Sequence, residues 1–297
     1  MRDIPPDLEA LRQGYIASAM QPALRAFKCR CGRPRCVFRP GYLVPFRTHL
    51  ANLHHVLADA HYSGGLRDGT DHGWAGVTYQ LKMAASIEDL TADTGYVDLS
   101  GSTLMCRPAA EYEDRHSLLA SRYAAALIVF NFIWAAYEAA VKVGAGSFRP
   151  KDTTAFRGRE LMALHGVLGK ELKCLRRLAR HAGWSVLHIG DLERDRGKLD
   201  SFQSGSAAYA AELARIFRNH IAHGSDNPPQ PDQGHGYCRI LRFYEVSRLL
   251  LLLIQIVAVQ AMPDPNWEYE AWDDIDEGRP RTLRSMFLRL QFEACRM

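Results

Sequence analysis

Two short clusters hold the residue types that can do chemistry. The first, FRNHIAHGSDN, begins at position 217. Arg218 brings a permanent positive charge and a donor fork matched to phosphate. Asn219 is a hydrogen-bonding amide, and His223 brings an imidazole, a side-chain type that can both take and give a proton. Together they suit proton transfer beside a phosphate, with the arginine meeting the phosphate charge. His220 sits where a histidine also complements the negative end of a helix dipole, and it is read as a bystander.

The second cluster, CRCGRPRCVFRPGYLVPFRTHLANLHH, contains Cys31, Cys36, His49 and His54. Four residues separate the cysteines, twelve lie between Cys36 and His49, and four separate the histidines. The spacing resembles that of two-cysteine, two-histidine zinc fingers, in which a knuckle supplies two thiolates and one helix face two imidazoles. Phe46 stands where such fingers place an apolar core residue, whereas Pro40 departs from their usual aromatic. Cys29 is an alternative to Cys31, and His55 to His54. The expectation is a structural zinc and no catalytic metal.

The elements that must position these residues fall into four regions. Residues 1–58 form a basic zinc-binding module: between Leu11 and Ala58 there is no Asp or Glu, against eight Lys and Arg. A one-signed surface of this kind attracts DNA or RNA phosphates, or docks on the acidic DPNWEYEAWDDIDEG in a dimer. Residues 59–114 read as a small β-containing region. VTYQLKM alternates, with Val77, Tyr79, Leu81 and Met83 on one side of a strand, and YVDLSGSTLMC reads as a hairpin. Residues 115–262 read as helical, and 263–297 as an acidic segment followed by a C-terminal helix.

Within 115–262 the expected fold is mainly α, a four-helix antiparallel bundle. The first helix spans about 117–143 and stops at Gly144. The second starts near Thr153 and runs past Leu178 on a leucine stripe. The third runs from about Ser204 to Gly224, and the fourth from about Tyr237 to Met262. The leucine-rich fourth helix offers more apolar surface than one bundle is expected to cover, which points to a homodimer. The apolar run in the first helix carries Asn131, Glu138 and Lys142, and the fourth is short of the roughly 20 residues that cross a bilayer. Both read as buried helices of a cytoplasmic protein with no membrane segment.

RNHIAHG at the end of the third bundle helix resembles the signature of the HEPN superfamily, helical-bundle proteins of which many are ribonucleases. Their motif is an arginine, a polar residue and, after a short gap, a histidine; Arg218, Asn219 and His223 match it. Glu138, within FIWAAYEAA, resembles an acidic residue some HEPN proteins carry on the first helix. The resemblance covers half the chain. It implies cleavage of RNA by 2′-hydroxyl attack, giving 2′,3′-cyclic phosphate and 5′-hydroxyl ends, in a prokaryotic toxin or anti-phage role. At 100° per residue Asn219 and His223 share a helix face, while Arg218 lies about 140° from His223. HEPN ribonucleases resolve this with a composite site across a homodimer. Two rivals stand beside this reading: a zinc-finger nucleic-acid-binding regulator that dimerises through the bundle, and a non-catalytic HEPN partner or scaffold.

Overall fold

The computed structural model describes residues 43–67, 73–97, 100–144, 153–172, 174–189, 192–224, 226–232, 236–269 and 281–292. The protein is mainly helical. In chain order the helices are α1 (Phe46–Tyr62), α2 (Gly73–Ser86), α3 (Ser102–Met105), α4 (Arg107–Gly144), α5 (Thr154–Leu164) and α6 (Gly166–Glu171). There follow α7 (Leu175–Trp184), α8 (Arg196–Asp200), α9 (Ala207–Ala222), α10 (Gly236–Ala261) and α11 (Leu283–Phe287). Among the described residues the strands are one antiparallel pair, β1 (Glu268–Tyr269) with β2 (Arg281–Thr282).

The core is built around α10. From Leu249 to Ile254 every residue is fully buried, as are Ile240, Phe243, Val246, Ile256, Val257 and Ala258. A helix that is apolar all round is stable only when it is enclosed. Here α4, α9, α7, α1 and α11 do the enclosing. The expectation that a second copy is needed to cover this helix is therefore corrected: the chain covers it with its own segments.

Helix directions follow from the aromatic contacts. Phe130 of α4 meets Phe217 of α9 with ring centroids 5.2 Å apart. Seven residues earlier on α4, Tyr123 reaches Asp226, beyond the end of α9, so these two helices run antiparallel. Phe130 also meets Phe243 of α10. Fourteen residues further along both helices, a Cβ on Gly144 would stand 2.5 Å from Val257 Cγ1, so α4 and α10 run parallel and touch where only glycine fits. The uniformly antiparallel arrangement expected from sequence is corrected here. Its second helix is broken into α5, α6 and α7 at His165 and around Leu172–Cys174, which changes the number of chain reversals between α4 and α10.

The β reading of the middle region is also corrected. VTYQLKM lies within α2, whose buried residues are Trp74, Val77, Leu81 and Ala84. Those positions step by three and four residues, a helix stripe that ran through the same letters as the alternation. Tyr79, expected beside Leu81, is 61% exposed. The expected hairpin is a short 3-10 turn at Thr94–Val97 followed by α3.

Polar residues on α10 tie the outer helices to it. Gln255 Oε1 accepts from His49 Nε2 of α1 at 2.9 Å, and Gln255 Nε2 donates to Gln291 Oε1 after α11 at 3.0 Å. Fully buried Arg248 donates to the Val44 carbonyl at 3.0 Å.

The helical assignment of α2 separates Tyr79 from Leu81. Leu81→Ala is expected to cost about 2–5 kcal/mol, and Tyr79→Ala no more than about 0.5 kcal/mol, in urea denaturation. Equal losses would put both side chains back on one face of a strand.

Candidate functional site

The site forms at the C-terminal end of α9. The Ser206 hydroxyl caps its start, accepting the Tyr209 amide at 3.1 Å. Leu213, Ile216 and Phe217 bury its inner face. Phe217 packs edge-on against Phe130 and Phe243, which holds the last turn in a fixed rotation. His223 closes the helix, its N–H donating to the Asn219 carbonyl at 3.1 Å. Gly224, at φ +66°, turns the chain out in the left-handed conformation a side chain disfavours.

The chain beyond this turn is locked in place. The Asp226 carboxylate accepts Nη2 of Arg242 at 2.9 Å, and both side chains are almost fully buried. The Tyr123 hydroxyl donates to the Asp226 carbonyl and carboxylate at 3.2 and 3.3 Å. One aspartate thus fastens the segment after His223 to α10 and α4 together. The Arg242 guanidinium also lies 5.7 Å from the Phe217 ring centroid. His220 joins this group, with Nε2 4.0 Å from Asp226 Oδ1. Burial lowers the His220 pKa, Asp226 pulls it up, and Arg242 pushes it down. The bystander of the sequence reading is a packed member of the site.

Beside this end lies a cleft of about 580 Å³ lined by Arg194, Asp195, Lys198, Arg215, Asn219, His220 and His223, among others. Arg215, Asn219 and His223 follow one another at four-residue intervals, a single stripe along α9. The fold therefore brings Asn219 and His223 together as the sequence predicted. Arg218 is not among the cleft residues. It is exposed, with Nη1 3.5 Å from Asn219 Oδ1, a long contact that holds it weakly. Glu138 is also elsewhere. On α4 it stands eight residues beyond Phe130, while His223 extends six residues the other way from Phe217, so the two are separated by roughly 20 Å along the helix axes. A cleft of about 630 Å³ lies at the opposite end of α9, around Ser201–Ala208, and contains none of the motif residues.

Sequence reasoning missed Arg215, which its four-residue spacing to Asn219 and His223 could have shown. It also missed Asp226, Arg242 and Tyr123, for which no local pattern exists.

Of the expected zinc ligands, Cys31 and Cys36 lie outside the described residues, as does the alternative Cys29. His49 and His54 are both on α1 but face different neighbours. His49 is fully buried on Gln255, and His54 Nδ1 donates to the Thr78 carbonyl of α2 at 3.0 Å. As placed, the two imidazoles are taken up by partners on different elements, Gln255 of α10 and Thr78 of α2. Burial, with the neighbouring Arg248 charge, pushes the His49 pKa from 6.5 down to about 3.

These contacts bear on stability in two measurable ways. Asp226→Asn leaves the buried Arg242 without its counter-charge and is expected to cost about 3–5 kcal/mol in denaturant unfolding, with Arg242→Met on the same background recovering part of it. An unchanged midpoint would show that the pair does not hold the turn. For His49, the unfolded chain binds a proton between about pH 6.5 and 3 that the folded chain does not. Stability therefore falls as pH falls through that window, by up to about 1.4 kcal/mol per pH unit. His49→Gln is expected to flatten this part of a Tm-against-pH profile; a profile as steep as wild type would assign the acid sensitivity elsewhere.

Compared with protein-family models, curated proteins and solved structures, the chain matches none.

Proposed function

We propose that the protein is a metal-independent endoribonuclease of the HEPN type, acting as a homodimer. Helices α4, α9 and α10, with the broken segment α5–α7, are read as its four-helix bundle. One observation carries the reading: Asn219 and His223 line one cleft, among cationic side chains, at a helix end fixed by a buried ion pair.

In this reading His223 takes the 2′-hydroxyl proton and returns a proton to the departing 5′-oxygen. The 2′ oxygen attacks phosphorus, the bond to the 5′ oxygen breaks, and the products are a 2′,3′-cyclic phosphate and a 5′-hydroxyl. Asn219 orients the phosphate or the histidine by hydrogen bonding. Arg218 stabilises phosphoryl charge. Its exposure outside its own cleft suits a role toward the cleft of a second copy, the composite arrangement that the HEPN resemblance implies. A toxin or anti-phage role rests on that resemblance alone. A zinc in the N-terminal module rests on the cysteine spacing of residues 29–36 and takes no part in these steps.

The test is incubation of the full chain with RNA in EDTA, followed by end-group analysis. Wild type is expected to yield cyclic-phosphate ends, and His223→Ala to slow cleavage by about 10²-fold or more. If wild type and His223→Ala leave equal amounts of intact RNA, or if cleavage requires added magnesium, the proposal fails.

A further inference from the structure

The motif histidine and amide share their cleft with three cations that the motif does not include. Among the described residues, Arg194, Lys198 and Arg215 line it with one carboxylate, Asp195. Asp195 takes Lys198 Nζ in a short contact and lies 3.9 Å from Arg194 Nε, so one carboxylate serves two cations. Arg215 is in the same position. It holds Glu212 through Nε and Nη2, while Glu212 also takes Arg159 at 3.4 Å. Among the described residues, that arrangement leaves the Nη1 donors of Arg215 available. Among the described residues the cleft therefore carries more cations than carboxylates.

The geometry gives that charge a direction. Arg215, Asn219 and His223 form one stripe of α9, and Arg194 and Lys198 face it from the segment that includes α8. The Arg194 and Lys198 side chains are 78% and 58% exposed, so both heads can reach a ligand at the mouth. A strand whose scissile phosphate lies at His223 has its neighbouring phosphates within this cationic wall.

We propose that this cleft is the backbone-binding groove for single-stranded RNA, with Arg194, Lys198 and Arg215 as its phosphate ligands. Arg218 of the same protomer is not one of them. The substrate class rests on the ribonuclease reading above; the groove itself rests on the placement of the three cations. It accounts for a feature that the motif leaves open, namely how substrate is held beside a histidine whose motif arginine stands outside the cleft.

The experiment measures binding of a 2′-O-methyl oligoribonucleotide, which lacks the nucleophile and cannot be cleaved, to the full chain over a range of salt. The variant is Arg194→Gln with Lys198→Gln, whose amides keep a donor for Asp195. The control is Lys170→Gln with Arg176→Gln at the other cleft. Loss of two phosphate contacts on a single strand makes the slope of log K against log salt shallower by about 1.4. Affinity at moderate salt is expected to fall at least tenfold for the Arg194/Lys198 variant and to stay unchanged for the control. Unchanged affinity and slope for the Arg194/Lys198 variant, or an equal loss for the control, would overturn the groove. Cleavage of unmodified RNA is run in parallel to separate the two proposals. Cleavage by wild type with unimpaired binding by the variant refutes the groove alone. Binding through these residues without cleavage supports the groove and refutes the ribonuclease reading.

Discussion

Helix α10 is surrounded by protein along most of its length, and this enclosure governs the rest of the molecule. Burying that many leucine and isoleucine side chains supplies a large favourable term, on the order of 25 cal/mol for each Å² of apolar surface removed from water. It also takes Arg242, Glu245, Arg248 and Gln255 into the interior with them. Polar groups in that position cost free energy unless neighbours meet them. Gln255 therefore meets His49 and Gln291, Arg248 meets the chain at Val44, and Arg242 meets Asp226. The outer layers are placed by what α10 buries.

The site is a consequence of the same enclosure. Arg242 reaches past Phe217 to the residue that lies just beyond the helix-ending glycine, and Tyr123 meets the same aspartate from α4. The histidine at the end of α9 thus sits between two fixed points, the Phe217 aromatic cluster and the Asp226 carboxylate. Neither lines the cleft, yet together they set the rotation of the last turn of α9. A helix terminus ordinarily frays; this one is fastened on both sides of its cap. Fixed placement of this kind is what proton transfer to a reacting oxygen requires.

The electrostatics divide between interior and cleft. Inside, Asp226 and Arg242 face each other almost without water, so the pair works as a clamp that neither partner can leave cheaply. At the cleft, Asp195 and Glu212 are each shared between two cations, which leaves positive charge toward solvent. Both carboxylates are buried, while the cations they hold reach outward. In the proposed groove, the exposed cations would leave a field beside His223 that favours an anionic backbone.

Periodicity alone was enough to locate α9 and α10 and the end of α4, because an apolar stripe and a terminal glycine are local signals. The pairing of Asn219 with His223 was legible for the same reason: four residues on a helix is a local distance. Alternation in VTYQLKM misled because Val77 and Leu81 satisfy both a period of two and a step of four, and only the burial of Trp74 and Ala84 selects the helix. The spacing of the two histidines of α1 was legible, but their partners Gln255 and Thr78, 206 and 24 positions away, were not. Tertiary structure alone decided that α10 is covered by its own chain, that α4 runs parallel to it, and that a cleft opens on the Asn219–His223 face of α9. It alone joined Asp226 to Arg242 and Tyr123, residues 16 and 103 positions away. Contacts at those separations are chosen by the packing of whole helices, and no window along the chain contains them.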